Sequence, residues 1–375
     1  MKPPRAKVLF ALPSLRGGGA EGVMVTLLQH LDRSLFEPHL ALIKAEGVHL
    51  QRVPPDVPLH DLKANRARYM IPSFVRLAWR LRPQLVVSTL GHLNLTLILA
   101  RKLLPRNVRL VVREGTVVSA ILDKHVEYPW VWRWLYRHLY GKADAIVCQS
   151  DYMLEDLARS AGLSRDKLFR IYNPVDLQRI TELSLNRSNP YCGDGPHLLA
   201  VGRLAREKGY DVLLDAMALV HQAIPHAQLT ILGTGPLRET LLAQRNRLGL
   251  TEVVRFIGFE PNPYPYFRHA DLFVLSSRYE GFPNALLEAL VLGTRAIATD
   301  CPGGAREVAA HFPRCFFVKS ENAGTLATAI LDVLSADRSK TRQENAQVRP
   351  EAFDLYHVTA QYEALFQRVI DARPA

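Results

Sequence analysis

Cysteine is scarce in this 375-residue chain and widely scattered: Cys148, Cys192, Cys301 and Cys315 form no Cys-x-x-Cys pair. That spacing argues against a structural zinc site or a redox dithiol. Cys148 and Cys315 lie in or beside apolar runs, as expected of buried, reduced thiols in a cytoplasmic protein. No Asp-x-Asp sequence is present to hold a divalent metal. Long hydrophobic runs are missing as well. The first apolar run, Val8–Leu12, is too short for a secretion signal, and the longest candidate span, Leu85–Leu104, is broken by His92, Asn94, Arg101 and Lys102. A strand followed by a helix is expected there, not a membrane span.

Acidic residues fall short of basic ones in only one half. Residues 1–190 carry 28 Lys and Arg against 16 Asp and Glu, whereas residues 191–375 carry 19 against 20. The net charge of +11 therefore belongs to the N-terminal half, which suggests that this half faces a polyanion or an anionic membrane surface. No recognised nucleic-acid-binding module accompanies it, and no nucleic-acid partner is expected.

Strand-like runs alternate with helical patterns along the whole chain. Lys7–Leu12, Pro38–Ile43, Leu85–Ser88, Val108–Val112 and Ala145–Cys148 form one series. His197–Val201, Gln228–Leu232, Val253–Ile257, Leu272–Leu275, Arg295–Ala298 and Phe316–Val318 form a second. Alternation of this kind is the signature of parallel sheets covered on both faces. The length suits two domains, and the polar, glycine-containing stretch Asn186–Gly195 reads as a linker between them. The expected fold class is α/β, two doubly wound Rossmann-like domains facing each other across a cleft. The domains would be residues 1–190 and 191–350. A final helix in 351–375, with a stripe of Leu355, Val358, Tyr362, Leu365 and Val369, would complete the second domain or cross back to the first. Ligands of such sheets bind outside the carboxyl ends of the strands.

Three segments at strand ends carry chemistry. Gly17-Gly18-Gly19-Ala20-Glu21-Gly22 lies between a strand and a helix, where backbone amides can meet a phosphate. Gly17, Gly19 and Gly22 also satisfy the dinucleotide spacing, with Glu46 near the place of a ribose-binding acid, so an NAD(P)-dependent oxidoreductase is a rival reading. Pro13–Arg16 intervene between strand and glycines, which counts against it. Gly202-Arg203 and Glu207-Lys208-Gly209 place two cations where a diphosphate leaving group could be neutralised. Glu280-Gly281-Phe282-Pro283-Asn284-Ala285-Leu286-Leu287-Glu288 puts one acid before a helix starting near Pro283 and a second acid within it.

In this order, and with Gly233-Thr234-Gly235, these segments make the chain resemble the GT4 family of retaining glycosyltransferases with the GT-B fold. The stretch Gly258–Glu307 is especially similar to bacterial enzymes that build surface polysaccharides and lipid-linked oligosaccharides. The resemblance implies transfer of a sugar from a nucleotide-diphosphate donor, with UDP preferred, to a glycan or lipid-linked acceptor, and neither cofactor nor metal. Other reactions on the same fold, epimerisation or phosphorolysis, remain alternatives. Arg203 and Lys208 would bind the diphosphate, and with Glu280 and His92 form the catalytic set. Gly18, Gly19, Gly235, Phe259, Gly281, Phe282, Pro283, Asn284 and Glu288 would complete the donor site. Glu288 would meet the ribose and Phe259 the base. Glu21, His92 and Arg113, with Glu114 beside it, would face the acceptor.

One segment stands outside that set. Tyr128–Tyr140 packs three Trp and three Tyr among Arg and His. Such a helix suits either the core or the headgroup zone of a membrane, which would make the protein peripheral on the inner face of the cell membrane.

Overall fold

The computed structural model describes residues 5–124, 128–186, 188–313, 315–335 and 350–372. The chain divides into two compact units. The first comprises Met1–Pro174 together with Leu355–Ala375, and the second Val175–Asp354.

The first unit holds a seven-stranded sheet. Its strands are β1 (Ala6–Leu12), β2 (Phe36–Leu42), β3 (Leu59–Asp61), β4 (Leu85–Thr89), β5 (Arg109–Arg113), β6 (Ala145–Cys148) and β7 (Leu168–Arg170). They lie in the order β3-β2-β1-β4-β5-β6-β7, and every pairing is parallel. Successive residues of a strand point to opposite faces, and the two cores divide accordingly. Leu9, Ala11, Val86, Leu110 and Val112 enter one core; Val8, Phe10, Leu12, Val87 and Val111 enter the other. Strands buried on both faces read as unbroken apolar runs, which made most of them visible in the sequence. β3 and β7, at the two edges, are three residues long, too short to stand out.

The second core is closed by the C-terminal helix Leu355–Asp371. Its Val358, Tyr362, Leu365, Phe366 and Val369 join that core, with Phe366 edge-on to Phe10 and Phe36 at 6.3 and 6.1 Å. The helix thus belongs to the first unit although the chain has passed through the second.

The second unit carries a six-stranded parallel sheet: β8 (His197–Val201), β9 (Gln228–Leu232), β10 (Val254–Gly258), β11 (Leu272–Leu275), β12 (Ala296–Asp300) and β13 (Cys315–Lys319). Their order is β10-β9-β8-β11-β12-β13. The unit begins at Val175, not near residue 190. Helix Leu177–Leu185 packs on helix Tyr264–His269, and Asn262 Nδ2 donates to Leu183 O at 2.9 Å. The supposed linker Asn186–Gly195 therefore lies inside the second unit: Tyr191 stacks on His197 and donates to Tyr266 O at 3.0 Å. Residues 336–349, the end of the expected second domain, lie outside the described residues.

The segment Leu85–Leu104 folds as β4 and a helix, Gly91–Ala100. Among the described residues no helix is long and apolar enough to cross a membrane.

Candidate functional site

The second unit gathers its charged groups beyond the carboxyl ends of β8 and β11. After β8 the backbone is held by Leu204 N donating to Thr234 O at 2.9 Å, and Gly235 lies against Leu204. A short 3-10 turn, Arg206–Lys208, then presents Lys208. Its Nζ donates to Glu280 Oε1 at 2.6 Å, and Ser277 Oγ donates to the same oxygen at 2.7 Å. Glu280 is 7% exposed. A charge so buried must be paired, and Lys208 is its cation. The Glu280 backbone is fixed too, its N–H donating to Pro302 O at 2.9 Å beside Gly303.

Arg203, in contrast, is exposed. Arg278 braces the turn from behind. Its guanidinium takes Arg206 O at 2.8 Å, both carboxylate oxygens of Asp211 at 2.8 and 2.7 Å, and Glu321 at 2.8 Å. Burial alone would raise the Asp211 carboxyl, but Arg278 outweighs it and holds the group below its ordinary range. Burial pushes the Cys301 thiol up to about 12, so it stays protonated. Arg278 and Ser277 escaped the sequence reading because neither lies in the recognised spacing; only their place just after β11 marks them.

The helix that follows Glu280 runs Asn284–Val291, and its N-cap residue Pro283 contributes no side-chain hydrogen bond. Phe282 is buried edge-on to Phe353 at 5.8 Å, so its ring is not open to a ligand. Gly281 and Pro283 are buried, while Asn284 and Glu288 are half-buried. Phe259, one residue past β10, is 43% exposed. Lys208, Glu280, Ser277 and the Asn284 helix are thus brought together at one sheet edge.

The first unit departs further from expectation. Glu21 is 9% exposed and turns back on the glycine loop, accepting from Gly17 N at 3.0 Å, Gly18 N at 3.2 Å and Ser14 Oγ at 3.4 Å. Burial raises its carboxyl despite these donors. Glu21 therefore closes the helix start as a capping carboxylate, and two of the loop amides expected to face a ligand are already taken. Glu46 pairs with Lys44 Nζ at 2.7 Å and with Arg16, whose Nε lies at 2.6 Å, and these hydrogen bonds lower its carboxyl.

Arg113 was expected on the acceptor side; it is 1% exposed and tied to Thr89 Oγ1 at 3.2 Å and Asn173 Oδ1 at 2.5 Å. Glu114 is buried likewise. It receives hydrogen bonds from Tyr140 Oη, from Tyr136 Oη at 3.3 Å and from Gly115 N at 3.0 Å. Asn94 bridges Tyr140 Oη and Arg113 O at 3.0 and 2.9 Å. This buried network sits under the turn Leu90–His92. Leu90 has φ 76°, a conformation rarely adopted by a side-chain-bearing residue, and a methyl added at Gly91 would overlap the Tyr136 hydroxyl. His92 itself is exposed, yet the protein packed around its ring desolvates it and lowers the imidazole pKa. A ring kept neutral near neutral pH can accept a proton.

Burial raises the Glu114 carboxyl above the ordinary glutamate range, against the lowering effects of Tyr140, Gly115, Tyr136 and Arg113. The folded protein holds this proton more tightly than the unfolded chain. The associated stability is therefore full below about pH 4.5 and is lost as pH rises toward the folded value. Glu114→Gln, which does not titrate, should gain in stability relative to the parent protein as pH rises from about 4 to about 8. Urea midpoints at the two pH values measure this, and a pH-independent difference would refute it.

Among the described residues, no cluster of three or more His, Cys, Asp or Glu could hold a metal. The helix Pro129–Leu139 is two-sided. Tyr136 and Leu139 are buried, whereas Tyr128 before it and Trp130 and Trp134 within it are 57, 71 and 56% exposed.

Comparison with known proteins bears on the whole chain. Residues 17–179 match the family model described as Glycosyltransferase Family 4, and residues 186–349 match that described as Glycosyl transferases group 1. The chain is 31% identical over 353 residues to the N-acetylgalactosamine-N,N'-diacetylbacillosaminyl-diphospho-undecaprenol 4-alpha-N-acetylgalactosaminyltransferase of Campylobacter jejuni, covering 91% of this chain and 94% of that one. It is 26% identical to the amylovoran biosynthesis glycosyltransferase AmsD of Erwinia amylovora, over 80% and 83% of the two chains. Among solved structures, sucrose-phosphate synthase from Thermosynechococcus elongatus matches with a TM-score of 0.80 at 19% identity over 98% of this chain and all of that one. Anabaena HepE in complex with UDP matches at 0.77 and 21% identity, over 96% and 100%. The chain belongs to the family 4 glycosyltransferases, built on the two parallel-sheet domains of the GT-B fold.

Proposed function

We propose that this glycosyltransferase is a retaining enzyme that moves a sugar from a UDP-sugar to a glycan or lipid-linked acceptor in the synthesis of a bacterial surface polysaccharide, lipopolysaccharide or oligosaccharide. The observation that carries the reading is the Lys208–Glu280 pair a few residues ahead of the Asn284–Val291 helix, with Arg203 exposed on the loop after β8. As the bond from sugar to diphosphate breaks, negative charge grows on the leaving oxygens. Arg203, Lys208 and the helix amides neutralise it. Glu280 holds Lys208 in place and meets the transferring sugar. Glu288 takes the ribose, and the exposed Phe259 ring offers a face to the base. His92, neutral and accessible, lies on the acceptor side. In the retaining mechanism proposed here, the departing phosphate takes the acceptor's proton as the new bond forms on the same face. The relative that acts on a diphospho-undecaprenol substrate and the one assigned to amylovoran biosynthesis support the acceptor class; the UDP complex of a structural neighbour supports the base.

A panel of nucleotide sugars tests the donor: UDP-sugars should raise the melting temperature through preferential binding to the folded state, and NAD should not. A GDP-sugar stabilising more than any UDP-sugar would overturn the choice of base. Anomeric configuration of the product by NMR tests retention, and full activity in excess EDTA is expected of a transferase whose cations are side chains.

The exposed aromatic face of helix Pro129–Leu139, in the basic first unit, supports peripheral attachment to anionic lipid. In flotation with anionic vesicles, Trp130→Ser with Trp134→Ser should lose most of the bound fraction. Equal flotation of both proteins would remove the proposal.

A further inference from the structure

The first unit contains a cleft of about 400 Å³ lined by Ser14, Arg16, Lys44, Glu46, Arg66 and His92, among others. Its walls come from four neighbouring strand ends. Ser14 and Arg16 follow β1, Lys44 and Glu46 follow β2, Arg66 follows β3 and His92 follows β4. These four strands are adjacent in the sheet order β3-β2-β1-β4, so the cleft occupies the carboxyl edge where parallel sheets receive ligands.

The loops bearing the charges are stitched to each other. Lys44 N donates to Pro13 O at 3.1 Å, Leu15 N to Glu46 O at 2.9 Å and His49 N to Leu15 O at 3.0 Å. The backbone positions of Arg16, Lys44 and Glu46 are therefore set before any ligand arrives. Three cations line the cleft against one carboxylate, and that carboxylate is shared by two of them. The Arg16 and Lys44 side chains are 70 and 57% exposed. Ion pairs this open are worth little in water and exchange readily. A phosphate or diphosphate offers more oxygens and more charge than Glu46, and an arginine fork with a nearby ammonium suits it.

We propose that this cleft binds the phosphate or diphosphate group of the acceptor. Arg16, Lys44 and Arg66 read its charge, and Glu46 is the internal counter-ion it displaces. The assignment rests on the transferase reading and adds to it a class of acceptor, an anionic phosphate-bearing one, together with the residues that select it. His92 on the same wall would then lie beside the sugar carried by that phosphate.

The test uses the full chain saturated with UDP, so that the donor site is filled, and inorganic pyrophosphate as the probe in calorimetry. Arg16→Ala with Lys44→Ala should weaken pyrophosphate binding at least about tenfold, equivalent to about 1.4 kcal/mol. Glu46→Gln should tighten it several-fold, because the competing carboxylate is gone. UDP affinity should stay within about twofold in all variants, which separates failure of this assignment from failure of the transferase reading. Undecaprenyl diphosphate in neutral phosphatidylcholine vesicles provides a second arm. Capture of the parent protein by these vesicles, and not by plain ones, with capture lost in Arg16→Ala, Lys44→Ala, identifies a lipid-borne diphosphate; pyrophosphate binding without such capture identifies a soluble one. Undiminished pyrophosphate binding by the double variant, or weaker binding by Glu46→Gln, overturns the proposal.

Discussion

Arg203→Ala is expected to slow sugar transfer by about 100- to 1,000-fold, the loss typical of removing one donor aimed at developing negative charge. The melting temperature of the free protein should hardly move. Arg203 is exposed, so folding does not depend on its guanidinium. Lys208→Ala should lose at least as much rate, and it should also lower stability. Glu280, with a side chain only 8% exposed, would keep Ser277 Oγ as a donor but lose its cation. An uncompensated buried charge is costly; because Lys208 itself is 21% exposed, water can partly replace it, and about 1–3 kcal/mol is expected. Steady-state kinetics with thermal unfolding separates the two variants. Full-rate transfer by a folded Arg203→Ala, Lys208→Ala protein would show that the cations do not act on the leaving group.

The second large effect is structural in origin. Gly303→Ala should abolish UDP binding and lower the melting temperature of the second unit by about 10 °C. Gly303 has φ 130°, and a methyl placed there would fall within the Glu280 carbonyl. Strain in this region costs about 1–3 kcal/mol before the overlap is counted. To relieve it the backbone must separate Glu280 from Pro302 and carry the carboxylate away from Lys208. Gly249→Ala is the control: its φ of 71° is also positive, but no atom lies within 4 Å of the added methyl. About 1–2 kcal/mol is expected there, with UDP affinity retained. Equal damage from the two substitutions would mean that strain alone, and not contact with Glu280, decides the outcome.

The architecture was legible because parallel strands buried on both faces leave unbroken apolar runs, and only the three-residue edges β3 and β7 fell below that signal. The Glu280 to Glu288 segment was legible because its spacing is local. The pairing of Lys208 with Glu280 was not, since 72 residues separate them and no periodicity relates them. Arg113 and Glu114, which the resemblance put on the acceptor side, are instead buried. Their burial depends on Asn173, Tyr136 and Tyr140, partners contributed from 22 to 60 residues away. Glu21 looked available for the opposite reason. A carboxylate three residues into a helix after glycines can face a ligand or turn back on its own loop, and it turned back.

The contact between Gly91 and Tyr136 ties two distant jobs together. Helix Pro129–Leu139 shows Trp130 and Trp134 to the outside and sends Tyr136 inward to Glu114, where the hydroxyl leaves no room for a side chain on the residue preceding His92. A tilt of that helix is expected to reach the imidazole's turn through Tyr136, so tryptophan fluorescence and the His92 ring resonance should shift in step.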